Sequence, residues 1–140
     1  MYKKILFPID LQEQSSWQKA LPAALEYCEA FGAELHLLSV FPDLPTAMRP
    51  YLPEDTESRL AHEAAAGLDA FVAEHVPAGV TAFKHLDTGG IYHCILETAE
   101  RIGSDLIVMA SHRPEMSDYL VGPNASRVVR HANISVLVVR

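Results

Sequence analysis

Short apolar runs alternate with amphipathic stretches along this chain, and the two periods define its elements. Lys4-Ile5-Leu6-Phe7-Pro8-Ile9 is a continuous apolar run, the pattern of a strand buried on both faces. Ser15 or Ser16 can cap a helix running to about Phe31, with Trp17, Ala20, Leu21, Ala24, Leu25 and Cys28 on one stripe. Pro22 lies inside it and is expected to bend it or weaken its first turns, and Gly32 ends it. Glu34 to Phe41 is a second strand, carrying Leu35, Leu37, Leu38 and Val40. Pro42 to Pro53 holds four of the nine prolines and reads as a loop. Asp55 or Thr56 opens a helix to about His75, with Leu60, Ala64, Leu68, Phe71 and Val72 on its apolar side. Gly79 to Leu86 is the third expected strand. Asp87-Thr88-Gly89-Gly90 then turns into a helix from Ile91 to about Ile102, which Gly103 ends. Asp105 to Ala110 is the fourth strand, about Gly122 to His131 the last helix, and Ile134 to Val139 the last strand.

This order is βαβαβαβαβ in a single domain spanning 1–140, an α/β chain with a five-stranded parallel sheet and helices on both faces. A Rossmann-like or flavodoxin-like order, 3-2-1-4-5, fits that number of strands. In such a sheet the order reverses between the first and fourth strands, and ligands bind there, outside the carboxyl ends of the strands.

Composition narrows the function classes. The formal net charge of −7 disfavours nucleic acid and anionic membranes as partners. It leaves room for a small anion, because backbone dipoles act at short range. No apolar run approaches the roughly 18 residues that cross a bilayer. The basic and apolar start, Met1 to Pro8, is too short for a signal peptide, and a cytoplasmic location is the expectation. Cys28 and Cys94 sit among apolar helix positions and read as buried free thiols. No CxxC or zinc-type Cys/His spacing exists.

The residues with chemistry gather at two strand ends. The first strand ends at Pro8-Ile9-Asp10 and the fourth at Ala110-Ser111-His112-Arg113, neighbours in the expected order. Asp10 can accept a hydrogen bond from an amino or hydroxyl group of a ligand, or serve as a turn or helix-start carboxylate. Arg113 can clamp a phosphate and His112 can add a donor. The plainer readings are a solvated loop charge and a hydrogen bond to loop backbone. Gly122-Pro123-Asn124-Ala125 opens a helix whose free N–H groups at Asn124 and Ala125 suit an anion, and Pro123 suits the first turn. Gly89-Gly90 reads as a plain strand–helix connection. GxGxxG, Walker A and GxSxG sequences are absent, and Ser111 and His112 are too close in sequence to work with Asp10 as a triad.

These residues resemble the universal stress protein family along essentially the whole chain. The likeness runs through Lys4 to Asp10, Gly89 before Ile95-Leu96, Ser104 to Met109, and Ser135 to Arg140. It is densest at Ala110-Ser111-His112-Arg113-Pro114 and from Asp118 to Ala132. Nucleotide-binding members carry Gly-x-x-Gly, a spacer, then Gly-Ser or Gly-Thr. Here Ala110 and Arg113 replace the two glycines, the spacer is one residue shorter, and Pro123 takes the hydroxyl position. The match is to a subgroup with Ser-His-Arg-Pro and Gly-Ser-Asn-Ala, some of whose members hold an adenine nucleotide. By that resemblance Asp10 and the main chain of Ile9 and Val40 would meet adenine and ribose. Ala110, His112, Arg113, Gly122, Asn124 and Ala125 would surround the phosphates, and Pro8 and Pro123 would belong to the binding site, Pro123 without the phosphate contact that a hydroxyl would give.

The resemblance implies a small cytoplasmic protein that binds ATP or ADP, with or without Mg. It would act as a stress-response regulator or sensor with at most slow ATP hydrolysis. It also implies a homodimer through the last strand, whose apolar edge invites pairing. The Arg113 and Pro123 replacements motivate an alternative, a dimeric interaction module that binds no nucleotide.

Overall fold

A computed structural model describes residues 1–41, 43–111 and 122–140. Its strands are β1 (Lys4–Ile9), β2 (Glu34–Phe41), β3 (Ala82–Thr88), β4 (Leu106–Ala110) and β5 (Ser135–Val139). Its helices are α1 (Ala20–Phe31), α2 (Thr56–His75), α3 (Ile91–Ile102) and α4 (Pro123–His131), with short 3-10 turns at Gln14–Ser16 and Arg49–Tyr51. The strands form one parallel sheet in the order β3-β2-β1-β4-β5, as the alternation of elements implied.

The period of two along the strands divides the core. Ile5, Phe7 and Ile9 of β1 and Leu106, Val108 and Ala110 of β4 face α1 and α2. Leu6, Ile107 and Met109 face α3 and α4, against Ile95 and Val128. Each central strand is therefore buried on both sides, which is why its sequence reads as an unbroken apolar run. Gly32 and Gly103 end α1 and α3 at φ of 63° and 69°, a left-handed turn that a side chain at Cβ disfavours.

Three boundaries differ from expectation by more than one residue. Neither Ser15 nor Ser16 caps α1: Gln14–Ser16 is a separate 3-10 turn, and Lys19 stands at the N-cap. Pro22 is the third residue of α1, where an N–H has no intrahelical partner, so its ring starts the helix instead of bending it. β3 begins and ends later than Gly79–Leu86. Pro77 to Val80 form a turn closed by Val80 N–H on the Pro77 carbonyl at 3.0 Å. Asp87 and Thr88 stay in the sheet because Val40 and Phe41 of β2 pair with them. Cross-strand pairing here overrides the turn preference of the polar residues.

Candidate functional site

The site grows out of a proline in a central strand. The Lys3 carbonyl of β1's entry accepts Glu34 N–H on the β2 side, whereas the Lys4 carbonyl accepts Asp105 N–H on the β4 side. Alternation along the strand then aims the backbone groups of Leu6 and Pro8 at β4. Pro8 has no N–H to give. The β1–β4 ladder accordingly holds Ile5–Leu106 and Leu6–Ile107 and ends there, while β1–β2 pairing continues to Ile9–Ser39. Beyond that point lies an open cleft with about 610 Å³ of empty space, counted out to its solvent mouth.

Its lining comes from six elements. Pro8, Ile9 and Asp10 enter from β1 and its end, Leu38 and Val40 from β2, and Met109 and Ala110 from β4. Ile91 and Ile95 come from α3, Asn124 and Ala125 from α4, and Ser16 from the 3-10 turn. The aliphatic members form an apolar wall suited to a flat, weakly polar ring, and the polar groups cluster at the opening.

Asp10 is held by its own loop. Its N–H donates to Ser16 Oγ at 3.0 Å, and the Ser16 hydroxyl donates back to the Asp10 carbonyl at 2.9 Å. Glu13 N–H reaches the same carbonyl at 3.1 Å. Asp10 Oδ1 accepts Gln12 N–H at 2.9 Å, the turn role weighed from sequence. Among the described residues no donor meets Oδ2, and a carboxylate oxygen can accept from a hydroxyl or amino group. Ser16 is buried, and its hydroxyl is spent entirely on the Asp10 backbone.

Two helices aim their amino ends at the cleft. In α4, Gly122 is the N-cap, Pro123 opens the helix, and the Gly122 carbonyl accepts Ser126 N–H at 2.9 Å. The Asn124 and Ala125 N–H groups precede that bond, and among the described residues no side chain caps them. In α3 the Gly90 carbonyl accepts Cys94 N–H at 3.0 Å, again without a side-chain cap. Uncapped N–H groups and the positive ends of two helix dipoles make this rim attractive to an anion. The cysteines stay out of the chemistry: Cys28 and Cys94 are buried free thiols, each pushed up to about 11, mainly by burial.

Of the residues singled out from sequence, Pro8, Ile9, Asp10, Val40, Ala110, Asn124 and Ala125 line the cleft. Gly122 and Pro123 begin the helix at its rim without lining it. His112 and Arg113 lie outside the described residues. Sequence reasoning missed Ser16, Leu38, Ile91, Ile95 and Met109. The aliphatic four carry a core signal that a cleft wall shares. Ser16 reads locally as a helix cap, and no signal in its immediate neighbours points to a loop that folds back onto Asp10.

The whole chain, residues 1–140, matches the sequence model described as the universal stress protein family. The chain belongs to that family. Universal stress protein G of Shigella flexneri is 35% identical over 143 residues, covering 100% of both chains. Among solved structures, universal stress protein UspA from Lactobacillus plantarum is 29% identical with a TM-score of 0.74, covering 99% of this chain and 98% of that one. The universal stress protein from Archaeoglobus fulgidus in complex with dAMP shares the fold, with a TM-score of 0.68 at 17% identity over 99% of this chain and 98% of that one.

Proposed function

We propose that this universal stress protein binds an adenine nucleotide, ATP or ADP with or without Mg, in the cleft between β1 and β4, and works as a cytoplasmic stress-response regulator or sensor. The observation that carries the reading is the convergence of the Asp10 carboxylate, an aliphatic wall and two uncapped helix starts on one cleft at the switch point. The base lies against Leu38, Val40 and Met109. Asp10 Oδ2 takes a ribose hydroxyl, and the phosphates meet the Asn124 and Ala125 N–H groups. His112 and Arg113 complete the phosphate end in this proposal. The dAMP held by the Archaeoglobus fulgidus relative is consistent with an adenine nucleotide as the ligand class. Turnover in this reading is at most slow.

A second reading keeps the fold and drops the nucleotide: a homodimeric interaction module. Its support is Pro123, which removes an N–H from the α4 rim, and β5, an edge strand whose Val136 to Val139 remain partly exposed. Pairing of β5 with a second copy belongs to both readings. Isothermal titration calorimetry with ATP and with ADP, each with and without Mg, separates them. Saturable binding that weakens in Asp10→Ala supports the first reading. No heat at millimolar nucleotide, together with a dimer mass by light scattering, leaves the second.

A further inference from the structure

The β2–β3 edge carries a line of three titratable side chains, with buried His36 at its centre, that the cleft does not use. Glu34 and His36 alternate on β2 and so share its α3-facing side, with Phe83 and His85 on the same side of β3. His36 Nε2 lies 3.0 Å from Glu34 Oε2, and His36 Nδ1 lies 2.8 Å from His85 Nε2. The two imidazole centroids are 5.1 Å apart at an interplanar angle of 16°. That separation is the N···N contact plus the two ring radii, so the rings meet end to end in one plane. The Phe83 ring covers His36 at 4.7 Å and 15°, and His36 is buried.

Proton bookkeeping follows from these contacts. A carboxylate only accepts, so Glu34 takes the Nε2–H of His36. Neutral His36 then presents a lone pair at Nδ1, and His85 Nε2–H donates to it. One added proton sits on an outer ring nitrogen and still leaves a single N–H between the two facing nitrogens, with Glu34 as counter-ion. A second puts N–H groups on both facing nitrogens and two positive charges across 2.8 Å, and the bond is lost. Among the described strands β3 is an edge with β2 as its single neighbour, so this contact is a side-chain tie across the outermost ladder.

We infer that His36 and His85 hold one shared proton that locks β3 to β2, and that a second proton releases the lock. The described charges around the pair fit a tie that resists the second proton. On α3, Arg101 acts on His85, while Asp87 and Glu97 both act on Cys94. On β1, Lys4 stands in register with Glu34 and gives its Nζ to the Ile102 carbonyl at 3.1 Å. Asp87, two residues on from His85, accepts Thr88 N–H at 2.8 Å. On the opposite face Lys84 is paired with Asp69 of α2. Burial, then His36, then Arg101 hold His85 below its ordinary 6.5. A base with a depressed folded value leaves the unfolded chain binding more protons in between. The lock is therefore complete above pH 6.5 and is lost as pH falls through the lower folded value.

The test needs no nucleotide, so its failure leaves the nucleotide proposal standing. Imidazole ¹⁵N resonances of the wild-type chain are followed from pH 8 to 4, beside amide hydrogen exchange of β3 and β1. The expected result is a coupled pair titrating in two separated steps. The β3-to-β1 exchange ratio, corrected for intrinsic rates, rises about tenfold across the second step. His85→Gln keeps an N–H donor at the Nε2 position without a charge, and its exchange ratio stays flat. Two rings titrating independently, a wild-type ratio that does not move, or a full acid response in His85→Gln would each overturn the lock. Should His85→Gln fold poorly, the wild-type resonances decide the question alone.

Discussion

β1 and β4 are tied at one end and parted at the other, and the contrast shows how a neighbouring pair of strands becomes a site. At the amino end, the Asp105 carboxylate accepts Lys3 N–H at 2.8 Å and 3.1 Å and Lys4 N–H at 3.1 Å. The Ser104 hydroxyl lies 3.1 Å from the Lys4 carbonyl and 3.0 Å from that of Leu106, and Lys4 Nζ caps the Ile102 carbonyl at the end of α3. Side chains there satisfy the backbone groups that the ladder leaves over. At the carboxyl end Pro8 withholds its N–H, the ladder stops, and helix starts without caps face the opening. Satisfied polar groups close a sheet, and unsatisfied ones at a switch point leave binding capacity.

Breaking the tied end has the largest expected effect. Asp105→Ala leaves the Lys3 and Lys4 amides without their charged acceptor and costs about 2–3 kcal/mol in urea denaturation, while nucleotide affinity per folded molecule is unchanged. Ser16→Ala removes both hydrogen bonds that hold the Asp10 backbone. It costs about 1–2 kcal/mol and weakens ATP binding, whereas a loss of stability without any loss of affinity would detach Ser16 from the site. Asp10→Ala weakens ATP binding about tenfold, close to 1.4 kcal/mol, with a melting temperature near wild type. Pro8→Val restores an N–H toward β4. Stability shifts by less than about 1 kcal/mol, and ATP binding falls as the ladder lengthens over the cleft; unaltered binding removes Pro8 as the cause of the opening. The smallest effect is at the thiols. With Cys28 and Cys94 buried and pushed up to about 11, iodoacetamide at pH 8 leaves both unmodified in the folded chain and labels both in denaturant.

Long apolar runs and glycine stops made the element order legible, and the order implied the sheet topology. β1 and β4 read as strands because burial on both faces leaves no polar position in their centres. Asp10, Asn124 and Ala125 were legible as site candidates because strand ends and helix starts converge at a reversal of strand order, and Val40 through the family resemblance. The start of α1 was not legible. Ser16 satisfies the local rule for a cap, yet its hydroxyl is claimed by Asp10 across a six-residue loop. The end of β3 was hidden for a related reason, since Asp87 and Thr88 are turn formers locally and strand residues only because β2 lies alongside.

By itself the sequence determined the class of fold, the parallel order, the two strand ends where the candidate site gathers, and the resemblance that the family match bears out. These follow from periodicity and local chemistry, which neighbouring residues along the chain encode. Only the tertiary structure decided that Pro8 halts a ladder, that Ser16 fastens Asp10, and that Glu34, His36 and His85 stand in line. Each of those depends on the hydrogen-bond direction and register of strands or loops distant in sequence. Such directions are set by packing, not by any residue's own preference.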